Sequence, residues 1–170
     1  MKRLGELKPI KDFREEERQA RLPQGFKPQE QIALGQAAAD ALMDVVRRQG
    51  LSKKIEGKEY LFYEAWLTLG RFFKLTPKVE WSKPIWHEGR VIAWEARAVV
   101  VDEEGREVAA AEAMCGKDEK GWAKRPAYAL RSMAQTRACA KALRSVLSWI
   151  VVLAGFAPTP AEEIENGADA

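Results

Sequence analysis

The stretch RVIAWEARAVVVDEEGREVAAAEAMC, residues 90–115, decides the fold. Two strand-like runs, the first rich in Val, Ile and Trp, flank Asp102-Glu103-Glu104-Gly105, with Gly105 at a position that tolerates positive φ. This predicts an antiparallel hairpin of Arg90–Val101 and Arg106–Cys115. If Asp102 pairs with Arg106, strand alternation gathers Trp94, Ala96, Ala98, Val100, Val108, Ala110 and Met114 on one face. The other face is alanine-rich too. Side chains this small imply an element lying close against the sheet.

The element that follows is suited to that place. Gly116–Arg125 reads as a charged loop, and Pro126 fits the first position of a helix that meets no breaker before about Leu153. Such a helix has roughly 28 residues and a length of about 42 Å. Arg137, Lys141, Arg144 and Ser148 share one stripe of it; Ser132, Cys139, Leu143, Val146 and Ile150 share the opposite one. Gly155 supplies the stop.

Upstream, Ile32, Gln36, Ala39, Met43 and Val46 recur at helical spacing, predicting a helix over Gln29–Gln49 closed by Gly50. Lys53–Phe62 places two short β-prone runs around Glu56-Gly57, a second hairpin. A helix over Tyr63–Lys74 follows, ended by Thr76-Pro77, and Lys78–Trp86 is a strand. The expected fold is α+β: a small antiparallel sheet of hairpins packed against a long C-terminal basic helix, with an N-terminal helix. The 170 residues suit one domain. Its expected limits are 29–157, between a charged arm, 1–28, with a short helix over Asp12–Ala20, and an acidic disordered tail, 158–170.

Net charge is only +3, but its distribution is uneven. Basic and acidic residues balance from Met1 to Glu119. Lys120, Lys124, Arg125, Arg131, Arg137, Lys141 and Arg144 then follow with no acid before Pro160, and Glu162, Glu163, Glu165 and Asp169 close the chain. An acid-free cationic stripe either faces solvent, pairs with the acidic tail or meets an external anion. Phosphates are the anion such a track suits, with binding that weakens as salt rises. Trp122, within the basic loop, is the best of six tryptophans to stack on an unpaired base, most of the others being expected in the core.

Enzyme chemistry finds little here. His87 is the only histidine, and Cys115 and Cys139 are too far apart in sequence for a zinc site; they read as reduced, buried thiols of a cytoplasmic protein. No phosphate-binding loop, nucleophile elbow or dinucleotide fingerprint occurs. No cofactor is expected, and no apolar run approaches the roughly 18 residues of a membrane span. Glu112 is the one acid worth testing, since the expected register puts it on an apolar face. An ion pair with Arg97 or Arg131 is the plainer account of it.

The order of elements, and above all Ala134-Gln135-Thr136-Arg137-Ala138-Cys139-Ala140-Lys141-Ala142-Leu143-Arg144-Ser145, resembles the single-strand DNA annealing family of the eukaryotic Rad-fifty-two recombination mediator and its phage relatives. That family's helix runs Ala, any residue, Thr, Asp, Gly, Leu, Lys, Arg, Ala, Leu, Arg, Ser. The resemblance places Lys141 and Arg144 where the family contacts the backbone of single-stranded DNA, and Lys58 near another basic position of the groove. Arg137 stands for an Asp and Ala140 for a Lys, which moves positive charge about one turn along the helix. The ending, Ala154-Gly155-Phe156 and Thr159 to Glu163, is similar to that of phage-type proteins.

Membership would imply a ring of identical subunits, with DNA in an outer groove between hairpin and basic helix and no nucleotide hydrolysis. The expected function is then single-stranded DNA binding and strand annealing in recombination, through Lys141, Arg144, Arg137, Arg131, Lys58, Lys124, Arg125 and Trp122. Replication or recombination proteins are the further partners expected. The alternatives are an interaction module of a phage or mobile-element replication machine, whose basic helix docks an acidic partner, and a small enzyme built around Glu112.

Overall fold

The computed structural model describes Gly25 and residues 27–164; the expected Asp12–Ala20 helix and the end of the acidic tail lie outside them. The element order is α1 (Pro28–Gln49), β1 (Ser52–Ile55), β2 (Lys58–Leu61), α2 (Tyr63–Phe72), β3 (Thr76–His87), β4 (Arg90–Val101), β5 (Glu107–Gly116) and α3 (Ala127–Leu153), then a short 3-10 helix, Ala161–Glu163. The class is α+β, as the patterning predicts. Two compact units divide the chain, Met1–Ala33 and Leu34–Ala170. In the first, the described residues open α1, where Lys27 pairs with Glu30 at 2.7 Å.

From Leu34 onward, β1 and β2 form a two-stranded antiparallel sheet, and β3, β4 and β5 a separate one in that spatial order. The second sheet is backed by α3. Ala96 and Ala98 of β4 and Cys115 of β5 bury against Leu130, Ala134, Ala138 and Cys139. Alanine on both sides lets helix and sheet approach closely, and the dispersion contacts so gained hold them together. The C-terminal half of α3 belongs to a larger core with Leu42 and Val46 of α1 and Trp66 and Leu69 of α2, built around Leu143, Leu147 and Ile150. Burial of each leucine contributes about 1.5–3 kcal/mol. A helix buried along both its length and two of its sides needs more than one apolar stripe. Ser132, on the stripe opposite the cations, is exposed, and the alanines carry the inner face of this half of the helix.

The β4–β5 hairpin forms with one correction. Asp102 N–H donates to Arg106 O at 3.0 Å, and Gly105 takes φ 79°. An irregularity between Val100 and Val101 then shifts the register: Val101 pairs with Glu107, but Val100 pairs with Ala109 and Ala98 with Ala111. The extra residue flips every later β5 side chain to the opposite face. Trp94, Ala96, Ala98 and Val100 share a face as expected, the one towards α3, but their β5 companions are Ala109, Ala111 and Ala113 rather than Val108, Ala110 and Met114. Val108 and Met114 are exposed.

Both edges of the three-stranded sheet are blunted. Edge strand β3 carries Pro77 and Pro84, which lack the N–H that strand addition requires. At the other edge, Arg137 and Lys141 of α3 donate to the β5 carbonyls of Met114, at 2.8 Å, and Glu112, at 3.2 Å. After α3, the chain folds back: Ala157 N–H donates to Glu59 O of β2 at 2.8 Å, and Pro160 and Ala161 are buried. The segment expected to start a disordered tail is therefore docked through Ile164, because its proline and alanine have apolar surface to cover.

Candidate nucleic-acid interface

Helix α3 fixes the angular order of its cations, but their surroundings divide them. Arg137 is the most enclosed, its side chain only 13% exposed. One guanidinium nitrogen donates to Glu119 Oε2 at 2.6 Å, a second to Glu119 Oε1 at 2.9 Å and to Met114 O, and Nε donates to Glu162 O at 2.7 Å. Burial favours loss of its charge, but the Glu119 hydrogen bond and charge outweigh this and raise its pKa further. Glu119 mirrors it. Burial pushes the carboxyl up, while Arg137 and the Gly116 N–H together pull it below the ordinary carboxylate range. This is a satisfied interior ion pair that ties the loop, β5 and the chain's end to α3, so Arg137 has few donors left for an outside phosphate.

Arg144 pairs with Glu163 at 3.1 Å and keeps 38% of its side chain exposed. The acids that meet this stripe thus sit just outside the acid-free segment, Glu119 before it and Glu162 and Glu163 after it. Lys141 is exposed. Arg131 donates to Ser82 Oγ at 3.0 Å, with its guanidinium carbon 5.3 Å from the Trp94 ring centroid. Ala140, at the position where the resembled motif has Lys, is fully buried.

The remaining sequence-predicted residues lie away from the stripe. Lys58 begins β2 on the hairpin, and Lys124 and Arg125 precede α3; all three are exposed and none has an ion pair among the described residues. Trp122 is half buried, packed against the sheet-backing core. Its loop folds on itself through Trp122 N–H to Glu119 O and Arg125 N–H to Trp122 O, both at 3.0 Å.

A cavity of about 290 Å³ brings several of these pieces together. It is lined by Lys53 of β1, by Phe62, by Glu119, Lys120 and Trp122 of the loop, by Met133 and Arg137 of α3, and by Ala161, Glu162 and Ile164 after it. Glu162 Oε1 accepts the Tyr63 N–H at 2.8 Å, so this carboxylate caps α2 from a distant part of the chain. Its Oε2 is buried without a partner, and burial raises its pKa. Sequence reading missed Lys53, Lys120 and Phe62 here. Lys53 and Lys120 were visible as charge, but their convergence depends on where the hairpin docks.

Glu112 lies elsewhere. The register shift turns it to the outer sheet face, where it pairs with Arg97 at 3.4 Å, and Arg97 also holds Glu80 at 2.6 Å and Glu107 at 3.7 Å. The ion-pair account of Glu112 is the one its geometry supports. It also lines an open cavity of about 480 Å³ with Glu95, Asp118, Glu119, Lys141 and Glu163, where acids outnumber cations. Both cysteines are free and buried; burial, reinforced by Glu119, pushes Cys115 up to about 11, and burial raises Cys139. Neither is a ready thiolate at neutral pH. No group of His, Cys, Asp or Glu among the described residues could hold a metal ion, and no described helix is long and apolar enough to cross a membrane.

No family model, curated protein or solved structure matches this chain. Two aromatic residues that the sequence reading did not single out are the most exposed among the described residues: Trp86, 62% exposed near the tip of the β3–β4 hairpin, and Tyr128, in the first turn of α3.

Proposed function

We propose that this protein binds single-stranded DNA and promotes annealing of complementary strands, without nucleotide hydrolysis. The observation that carries the reading is the cavity in which β1, the basic loop and α3 meet. It joins cationic residues from two separate elements, Lys53 and Lys120, with the aromatic surfaces of Phe62 and Trp122. Cations that neutralise phosphates beside rings that stack on bases are the pairing single-strand binders use. Lys58, Lys124, Arg125 and Lys141 extend the positive surface from the hairpin and loop to α3. Arg137 and Arg144 serve chiefly to shape this surface, since each is already bound to an acid of the protein.

The proposal includes self-association. With prolines in β3 and α3 cations on β5, simple strand addition is disfavoured at either sheet edge. An apolar depression lined by Leu34, Ala37, Ala41 and Phe72 offers a second copy a surface instead. Native mass spectrometry with and without poly-dT reads subunit number and DNA together.

The decisive measurement is fluorescence anisotropy with a labelled poly-dT oligonucleotide. Combining Lys58→Glu, Lys124→Glu and Lys141→Glu should weaken binding by about 100-fold at low salt, leave the circular dichroism spectrum unchanged and flatten the salt dependence of the affinity. Unchanged affinity would overturn the interface. No binding by the wild-type protein would overturn the function and favour the interaction module.

A further inference from the structure

We propose that the segment after Pro160, residues 161–164, is an autoinhibitory strap: closed, it fills the strand's place on α3 with the chain's own carboxylates, and a bound strand lifts it. This inference rests on the single-strand reading and adds the regulation of that same site.

The strap occupies donors that suit phosphate. Glu162 Oε1 accepts the Tyr63 N–H at 2.8 Å, Glu162 O accepts Arg137 Nε at 2.7 Å, and Glu163 Oε2 accepts Arg144 at 3.1 Å. Guanidinium and backbone N–H groups bind phosphate oxygens as readily as carboxylate or carbonyl oxygens. The hydrogen bonds of the strap's own turn, Glu163 N–H to Pro160 O at 3.1 Å and Ile164 N–H to Ala161 O at 3.2 Å, are local and survive when it moves.

Its closed state is also incompletely satisfied. Glu162 Oε2 and Glu163 Oε1 are both buried without a hydrogen-bond partner. A buried carboxylate oxygen left unpaired opposes docking, and water satisfies it once the segment opens. Apolar burial offsets little of this: Pro160 is buried and anchors the start, but beyond it Ala161 alone is buried, and Glu162, Glu163 and Ile164 are half-buried.

Lifting changes the charge of the neighbouring 290 Å³ cavity as well, because Ala161, Glu162 and Ile164 belong to its lining. Of the two carboxylates there, Glu162 leaves with the strap. Glu119 stays, neutralised by two guanidinium nitrogens of Arg137 at 2.6 and 2.9 Å. The open form therefore offers phosphates Arg144, Arg137 Nε and the Tyr63 N–H beside a cavity whose remaining acid is already paired. The 480 Å³ cavity keeps Glu95, Glu112 and Asp118 after lifting and is no part of the strand's path.

The test reads opening directly, as the rate at which iodoacetamide labels Ala161→Cys, with labelled sites located by peptide mass. Cys115 and Cys139 are buried and serve as slow references. With about one molecule in ten open in the free protein, saturating poly-dT should speed labelling at residue 161 about tenfold. Adding Glu163→Gln should speed it about threefold without DNA and tighten poly-dT binding by the same factor, since both readings follow one open fraction. Tighter binding with no faster labelling of the free protein would reduce Glu163 to a repelling charge and overturn the strap. Labelling that poly-dT slows or leaves unchanged, with binding intact, would overturn it too, while the single-strand reading stands. If Ala161→Cys unfolds, as judged by circular dichroism, cleavage of the wild-type chain after Glu162 and Glu163 by a glutamate-specific protease replaces labelling, and poly-dT should speed it. Failure of the wild-type protein to bind poly-dT would overturn both readings.

Discussion

The acid-free segment contains two kinds of positive charge. On α3, Arg137 is nearly enclosed and bound by Glu119 and two backbone carbonyls; in the loop, Lys124 and Arg125 stand exposed with no ion pair among the described residues. In sequence they belong to one run. In the fold, one holds elements together and the others remain available to a ligand, so a basic segment is informative about binding only after its internal acids have been subtracted.

The largest expected effect is on the enclosed side. Arg137→Met should cost about 3 kcal/mol by urea denaturation, because it leaves the part-buried Glu119 carboxylate without its guanidinium partner. Lys124→Glu should stay within about 0.5 kcal/mol of wild type. Equal costs would erase the distinction. The pair also sets a pH signature. Since Glu119 is held below the ordinary carboxylate range in the folded protein, its contribution is complete above that range and is lost as pH falls through the depressed value. In Arg137→Met that acid-side loss should shrink, since only the Gly116 N–H then holds the carboxylate.

A smaller effect of opposite sign belongs to Glu162. Its folded carboxyl is raised above the ordinary value by burial, so its ionised form opposes folding at neutral pH, and this penalty fades as pH falls through the raised value towards the ordinary one. Glu162→Gln retains an oxygen for the Tyr63 N–H and removes the buried charge. It should stabilise by about 1 kcal/mol at pH 7 and by nothing well below the carboxylate range, read from urea midpoints against pH. A destabilised variant at pH 7 would mean that the charge itself is needed at the start of α2. The smallest effect concerns Arg144, which lies between the two classes. Glu163→Gln should free it and tighten poly-dT binding about threefold, and unchanged anisotropy would move Arg144 to the structural side.

Much of the fold was legible because it follows from local rules. The 102–105 turn, the long unbroken helix after Pro126 and the helix ending at Gly50 each carry their own signals, and each element forms within a few residues of its expected limits. What escaped was one residue of register. Nothing in Val100-Val101 or Glu107-Val108 announces a bulge, and with alanine on both faces of β5 the pattern cannot tell inside from outside. That single slip misplaced Val108, Met114 and Glu112 together. The candidate site was legible as composition: lysines, arginines and Trp122 near α3. Which cations were spent internally was not, because their partners Glu119, Glu162 and Glu163 lie just beyond the segment that was counted.

By itself, the sequence determined the α+β class, the two hairpins, the long helix and the presence of a +7 segment, since periodicity, turn residues and charge act over a few neighbouring positions. The tertiary structure alone decided that Arg137 is interior, that Glu112 faces outward against Arg97, and that Lys53, Phe62, Lys120 and Trp122 enclose one cavity. Those outcomes depend on strand register and on how distant elements dock. Their energies come from burial and pairing between residues far apart in the chain, which no local pattern encodes.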